Sequence, residues 1–339
     1  MAESLFKLQK YPHEYPTTIY DVPPDAATEE CGMIFLIPGN PGLPEYYVPF
    51  LSQAREGLPG WRIVCVSQAG YDTVATAGAA RSSDQKYYGL EQQTQHKVEV
   101  LTSLLQKYSY FSTVDLVNKK QVVVVGHSIG CWMIQRMLAK LAKQQIPAPI
   151  TLAVLLFPTI RDLAQSSSGM ALKTISSYVP RLADFVSIFT FYAAKYLPSS
   201  ALHTIIKLAM RNPPEHALHA TTQLVGSPAV VWQSISLGIE EMGIHGERDD
   251  MAEFFWDGPW GTLHSESSKQ GRIVAYFAES DHWVADRTRA EILEAHAKRE
   301  NVSFNISTAE ENCKHAFCVK DSDVMAKRLV DWVTELDGH

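Results

Sequence analysis

A serine sits between two glycines in Gly126-His127-Ser128-Ile129-Gly130, after an apolar run, Gln121–Val125 (QVVVV), and before a helical pattern, IGCWMIQRMLAK. Gly-x-Ser-x-Gly between a strand and a helix is the nucleophile elbow, a turn so tight that neighbouring backbone leaves room only for small residues at its ends. The turn lifts the hydroxyl to the carboxyl end of a sheet, where the free N–H groups of the helix N-terminus face developing negative charge. Ser128 is the candidate nucleophile; the plainer alternative is a glycine-rich turn with a capping serine.

A serine hydroxyl needs a base, and the base needs a carboxylate to orient it. In this type of fold they follow in the order serine, acid, histidine. His315, in Cys313-Lys-His-Ala-Phe-Cys318, follows the last strand-like run and is the candidate base. His127 lies in the elbow and His96 in a predicted helix, while His203, His216, His219, His245 and His264 fall in a long insertion. Asp281, in Phe277-Ala-Glu-Ser-Asp281-His-Trp-Val, follows a strand and is the favoured acid. Asp286, suited to capping the next helix, and Asp162, after an earlier strand, stay open as alternatives.

The oxyanion needs two N–H donors. One is expected from Ile129, directly after the nucleophile; the other should come from the loop Ile37-Pro38-Gly39-Asn40-Pro41-Gly42. Proline cannot donate, so Asn40 is the favoured partner, with Gly39 second. His216 and His219 have i, i+3 spacing but no third ligand in sight, so neither a metal nor an organic cofactor is expected.

These residues must be carried by elements that bring them together. Near-continuous apolar runs at Met33–Ile37, Arg62–Val66, Gln121–Val125, Ile150–Phe157, Arg272–Phe277 and Val302–Ser307 read as buried strands. Helical patterns over about Asp84–Tyr108, Ile129–Lys143, Asp286–Arg299 and Asp321–Leu336 alternate with them. This predicts a mostly parallel, doubly wound α/β sheet, with Thr17–Val22 as an antiparallel edge strand. Residues 159–271 interrupt the alternation and are expected to form a helical cap on a core made of residues 1–158 and 272–339.

Within that insertion, residues 174–210 are unusually apolar, and Phe185–Ala194 carries no charge. The run is too short to span a bilayer as a helix. Leu202, Ile205, Ile206 and Ala209 fall on one predicted helical face beyond it. Either this segment is a lid packed on the core, or it dips into a lipid monolayer. On the second reading Phe185, Ile188, Phe189, Phe191 and Tyr192 are the lipid contacts.

Composition narrows the function. The 339 residues carry 30 Lys plus Arg and 37 Asp plus Glu, a net charge of −7, so a nucleic-acid footprint is not expected. Hydrophobic residues at 46% describe an ordinary globular chain. Five scattered cysteines make no disulfide framework, and Cys31, Cys65 and Cys131 read as buried free thiols. The first sixteen residues hold no apolar run of the secretory type, so a reducing cytosolic setting is expected.

Taken together, the loop IPGNPG followed by Tyr46-Tyr47, the elbow GHSIG, Asp281-His282-Trp283 and His315-Ala-Phe resemble the lipid droplet-associated hydrolase family, a branch of the serine α/β-hydrolases. The resemblance runs from about Cys31 to Val333. It implies the α/β-hydrolase fold, a Ser128–His315–Asp281 triad and lipid esters, sterol esters among them, as substrates. It also implies a home at the lipid droplet surface and the cytosolic face of the endoplasmic reticulum. The expected activity is a serine ester hydrolase. The alternatives are a droplet-associated scaffold with weak or vestigial activity, and a soluble esterase, thioesterase or acyltransferase. The sequence carries no statement about oligomeric state.

Overall fold

The computed structural model describes residues 9–10, 15, 17–110, 120–245, 249–262 and 270–336. Most of the first sixteen residues, and His264, lie outside them. The chain begins with β1 (Gln9–Lys10), β2 (Thr18–Val22) and β3 (Gly32–Ile37). Then come α1 (Val48–Gly57), β4 (Trp61–Val66), α2 (Leu90–Lys107), β5 (Gln121–His127), α3 (Ile129–Lys143) and β6 (Ile150–Leu156). Between β6 and the next strand lie α4 (Ser167–Tyr178), α5 (Leu182–Tyr196), α6 (Ser199–Ala209), α7 (Glu215–Val225), α8 (Pro228–Glu241) and α9 (Asp250–Asp257). The chain closes with β7 (Arg272–Phe277), α10 (Asp286–His296), β8 (Val302–Ile306), α11 (Phe317–Lys320) and α12 (Ser322–Thr334).

The sheet order is β1-β2-β4-β3-β5-β6-β7-β8. The β1–β2 and β2–β4 pairings are antiparallel and the rest parallel. β3, β4 and the apolar part of β5 are buried at every position, as a parallel sheet covered on both faces requires. Helices supply the cover: α1 packs on α12, and α3 packs on both α2 and α9.

The direction of crossover reverses at β3, which has β4 on one side and β5 on the other. Such switch points leave a crevice at the carboxyl ends of the strands. The register keeps those ends level: Ile37 is opposite Gly126, His127 opposite Leu156, and Leu156 opposite Tyr276. Loops carrying the candidate residues leave from this rim.

Some local expectations need correction. Thr17–Val22 is not the edge, because β1 pairs along its outer side. The helix expected from Asp84 starts at Leu90, since Gln233 of α8 bonds both the N–H (3.1 Å) and the C=O (2.8 Å) of Tyr88 and holds that stretch outside the helix. Cys31 is exposed rather than buried, at the mouth of β3.

α5 is amphipathic in the reverse of the usual sense. Its buried positions are Ala183, Ser187 and Thr190, a stripe of small residues packed on α8. Ser187 donates to the Pro228 carbonyl at 2.7 Å. Phe185, Ile188, Phe189 and Tyr192 face outwards, with Phe189 72% exposed. Phe191 is only half-buried, so it lies at the margin of this surface rather than on it. Met170, Ile175 and Tyr178 of α4 and Ile205 and Leu208 of α6 are exposed as well. Ile206, expected on the same face as Ile205, turns inward because α6 packs on α7. Among the described residues no helix is long and apolar enough to cross a membrane.

Candidate active site

Ser128 stands at the end of β5 with φ 53° and ψ −123°, a left-handed conformation that side chains rarely adopt. The flanking glycines permit it sterically. A Cβ at Gly126 would sit 2.8 Å from the Cys131 nitrogen, and one at Gly130 would sit 2.3 Å from the Ile37 carbonyl oxygen. The elbow therefore needs glycine at Gly130 so that α3 can start against the end of β3.

Ser128 Oγ lies 3.0 Å from His315 Nε2, and His315 Nδ1 lies 2.7 Å from Asp281 Oδ2. A carboxylate only accepts, so Nδ1 carries the proton and Nε2 offers its lone pair to the serine. The other oxygen of Asp281 accepts the Trp283 N–H at 2.8 Å. Burial pushes the Asp281 carboxyl up, but its bond to His315, the electrostatic attraction of that ring and the Trp283 N–H outweigh burial and hold it below the usual range. The competing acids are engaged elsewhere: Asp162 pairs with Arg161, and exposed Asp286 pairs with Arg289. Asp286 does not cap α10 either; Ala285 occupies that position.

The loop after β3 lies against the serine, where a Cβ at Gly39 would stand 3.0 Å from Ser128 Cβ. The Gly39 N–H is already donated to the Tyr47 hydroxyl at 3.0 Å. Ile129 is the first residue of α3, so its N–H has no acceptor within the helix. Asn40 is held by its side chain: Nδ2 donates to Ser234 O (2.8 Å) and Glu241 Oε1 (3.1 Å), and Oδ1 accepts from Tyr71 (3.2 Å). Asn40 and Ser128 both line a cavity beside this loop.

A cavity of about 420 Å³ opens over these groups. Tyr46, Leu172, Met210, Ile235, Trp283 and Val319 give it apolar walls, and Glu241 is its buried acid. Burial, opposed by the Asn40 amide and reinforced by Glu240, pushes Glu241 up to about 8. A wider groove of about 820 Å³ between α4, α5 and α8 is lined by none of the three residues Ser128, His315 and Asp281.

Several contributors escaped the sequence reading. The Thr159 hydroxyl is 3.3 Å from Ser128 Oγ. His127, set aside there as part of the elbow, bonds both Tyr47 and the His315 carbonyl. Glu241 and Ser234 reach Asn40 from about 200 residues away. Tyr47, in the IPGNPG-YY match, and His127, in the GHSIG elbow, carried a signal; Thr159, Glu241 and Ser234 carried none. His216 Nε2 lies 2.9 Å from the Cys318 carbonyl oxygen. Among the described residues no three His, Cys, Asp or Glu side chains cluster as metal ligands would.

Comparison with known proteins places this geometry in context. A family profile described as lipid-droplet associated hydrolase matches residues 30–318. A lipid droplet-associated hydrolase of Gallus gallus is 24% identical over 314 residues, covering 89% of this chain and 85% of that one. A Homo sapiens protein of the same description is 25% identical over 315 residues, covering 88% and 83%. Among solved structures, a carboxylesterase of Nitrososphaera gargenis aligns with a TM-score of 0.56 at 11% identity, covering 98% and 99%. A haloalkane dehalogenase variant from Bradyrhizobium elkanii aligns at 0.54 with 10% identity, covering 98% and 97%. The shared fold is that of the α/β-hydrolases; the differing reactions of these neighbours show that fold alone does not name the chemistry.

Proposed function

This chain belongs to the lipid-droplet associated hydrolase family, and from that premise we propose that it cleaves lipid esters, sterol esters among them, at the surface of lipid droplets and the adjoining endoplasmic reticulum. One observation carries the reading: the 3.0 Å and 2.7 Å bonds that run from Ser128 through His315 to Asp281 at the floor of an apolar cavity.

The steps follow from those bonds. Ser128 Oγ attacks the ester carbonyl carbon while its proton passes to His315 Nε2. Asp281 holds the imidazole in the tautomer that can accept that proton, and stabilises the imidazolium formed. The Ile129 and Asn40 N–H groups take the oxyanion. Collapse breaks the bond to the alcohol oxygen, which leaves with the proton from His315. Water, losing a proton to His315, then attacks the acyl carbon; the bond to Ser128 Oγ breaks, His315 returns the proton to that oxygen, and the carboxylic acid is released.

The outward apolar face of α4 to α6 supports the droplet setting. Apolar patches of this kind mark contact surfaces, and each large side chain fully withdrawn from water contributes about 1.5–3 kcal/mol. The inward stripe of small residues on α5 agrees with a helix whose outer medium is hydrocarbon.

The decisive experiment is fluorophosphonate labelling of the protein and of Ser128→Ala, with turnover of sterol, glyceryl and short-chain esters measured on both. Labelling and hydrolysis confined to the unsubstituted protein are expected. Equal labelling of the two would sink the proposal.

A further inference from the structure

None of those steps uses the imidazole that precedes the nucleophile, yet it is buried between two parts of the machinery. His127 Nε2 is 2.9 Å from the His315 carbonyl oxygen, and Nδ1 is 2.6 Å from the Tyr47 hydroxyl. That hydroxyl is 3.0 Å from the Gly39 nitrogen. The polarity of all three bonds follows from the single carbonyl. A carbonyl only accepts, so Nε2 carries the proton. Burial, aided by the neighbouring His315 ring, pushes His127 down to about 3, so the ring is neutral and Nδ1 keeps its lone pair. Tyr47 must then donate to Nδ1, which turns an oxygen lone pair towards the Gly39 N–H. The rings of Tyr47, Phe157 and Phe317 meet His127 edge-on, and both His127 and Tyr47 are buried.

We propose that His127 and Tyr47 are positioning residues: a directed chain of hydrogen bonds from Gly39 N–H through Tyr47 and His127 to the His315 carbonyl locks the oxyanion loop and the base to one another. The inference rests on the triad reading given above. It has a consequence for the oxyanion loop: Gly39 is committed to the chain, so the donor left to the oxyanion is Asn40. It also explains why the residue before the nucleophile is an imidazole. Its two nitrogens are the donor and the acceptor that a bridge between a carbonyl and a hydroxyl demands, and both are in one rigid ring. Gly39, Tyr47 and His127 also border the cavity, but the chain acts by holding the oxyanion loop and the base in register, so its loss should appear in the chemical step. A displacement of 1 Å at reacting groups can cost about 10²-fold in rate.

The test compares Tyr47→Phe, His127→Gln and His127→Leu with the unsubstituted protein, using a soluble short-chain nitrophenyl ester and thermal melting. Tyr47→Phe should lower kcat about tenfold to hundredfold with KM unchanged. His127→Gln, whose amide can still donate to the His315 carbonyl, should retain more kcat than His127→Leu, although Leu fills the same apolar space. A folded Tyr47→Phe with full kcat, a loss carried by KM, or Leu matching Gln overturns the proposal. Should the variants fail to fold, nitrogen NMR of the ¹⁵N-histidine-labelled unsubstituted protein still decides it. His127 must show a protonated Nε2 and a bare Nδ1 throughout the neutral range; the opposite tautomer overturns it. Failure of the triad reading is separate, since it would show as labelling that survives Ser128→Ala.

Discussion

Asp281 reaches His315 Nδ1 at 2.7 Å with one carboxylate oxygen, while the Trp283 N–H pins the other. The carboxylate is thereby fixed in plane and can hold only one tautomer of the base. Asp281→Asn, which would donate where it now accepts, should lower kcat about 10³–10⁴-fold with little change in KM. Asp162→Asn and Asp286→Asn should be close to unaffected. Steady-state kinetics on one soluble ester distinguish the three acids, and a comparable loss in either of the last two would reassign the role.

The start of α3 tolerates no side chain beyond glycine at Gly130, where a Cβ would meet the Ile37 carbonyl oxygen at 2.3 Å. Backbone cannot rotate away as a side chain can. Gly130→Ala should destabilise by about 1–3 kcal/mol or more and displace Ser128 from its bond to His315. Denaturant melts and fluorophosphonate labelling read the two effects, and an unchanged midpoint would contradict the close approach.

The α5 surface should be separable from catalysis. Phe185→Asp and Phe189→Asp substitute exposed side chains, so melting temperature and short-chain ester turnover should stay close to normal. Flotation with artificial droplets should fall more than tenfold in the double variant, because each aromatic withdrawn from water contributes about 1.5–3 kcal/mol. Undiminished flotation would make α4 to α6 a lid and nothing more.

Glu241 should give the protein a pH-dependent stability. Its carboxyl titrates at about 8 when folded and at about 4.3 when unfolded. Between those values the folded chain holds a proton that the unfolded chain has released, so stability declines as pH rises through that window. Glutamine at this position cannot ionise, yet its carbonyl can still accept from Asn40. Glu241→Gln should therefore flatten the fall in melting temperature between pH 5 and pH 8. Parallel curves for the two proteins would show that the acid is not held neutral.

Ser128, Asp281 and His315 could be nominated from sequence because each sits in a short motif just past a strand. Sheet register then does the work of bringing strand ends level, and that regularity is readable as hydrophobic pattern. The supporting groups obey no local rule. Thr159 is 31 residues from Ser128, and Glu241 is 201 from Asn40. Their pairing is decided by how the insertion lies on the sheet. The apolarity of residues 174–210 was equally plain, but its direction was not. Which side of α5 faces out depends on the small residues that let it approach α8, and a search for large apolar side chains passes over Ser187 and Thr190.

The backbone of Ser128 has one more consequence. A non-glycine residue held at φ 53° costs on the order of 1–3 kcal/mol, whatever the cell does with the protein. A chain serving only as a coat would shed that load through any substitution that relaxes the turn, glycine above all, and would fold the better for it. The tension at this residue thus agrees with the proposed chemistry rather than with mere attachment, because it falls on the hydroxyl that meets His315.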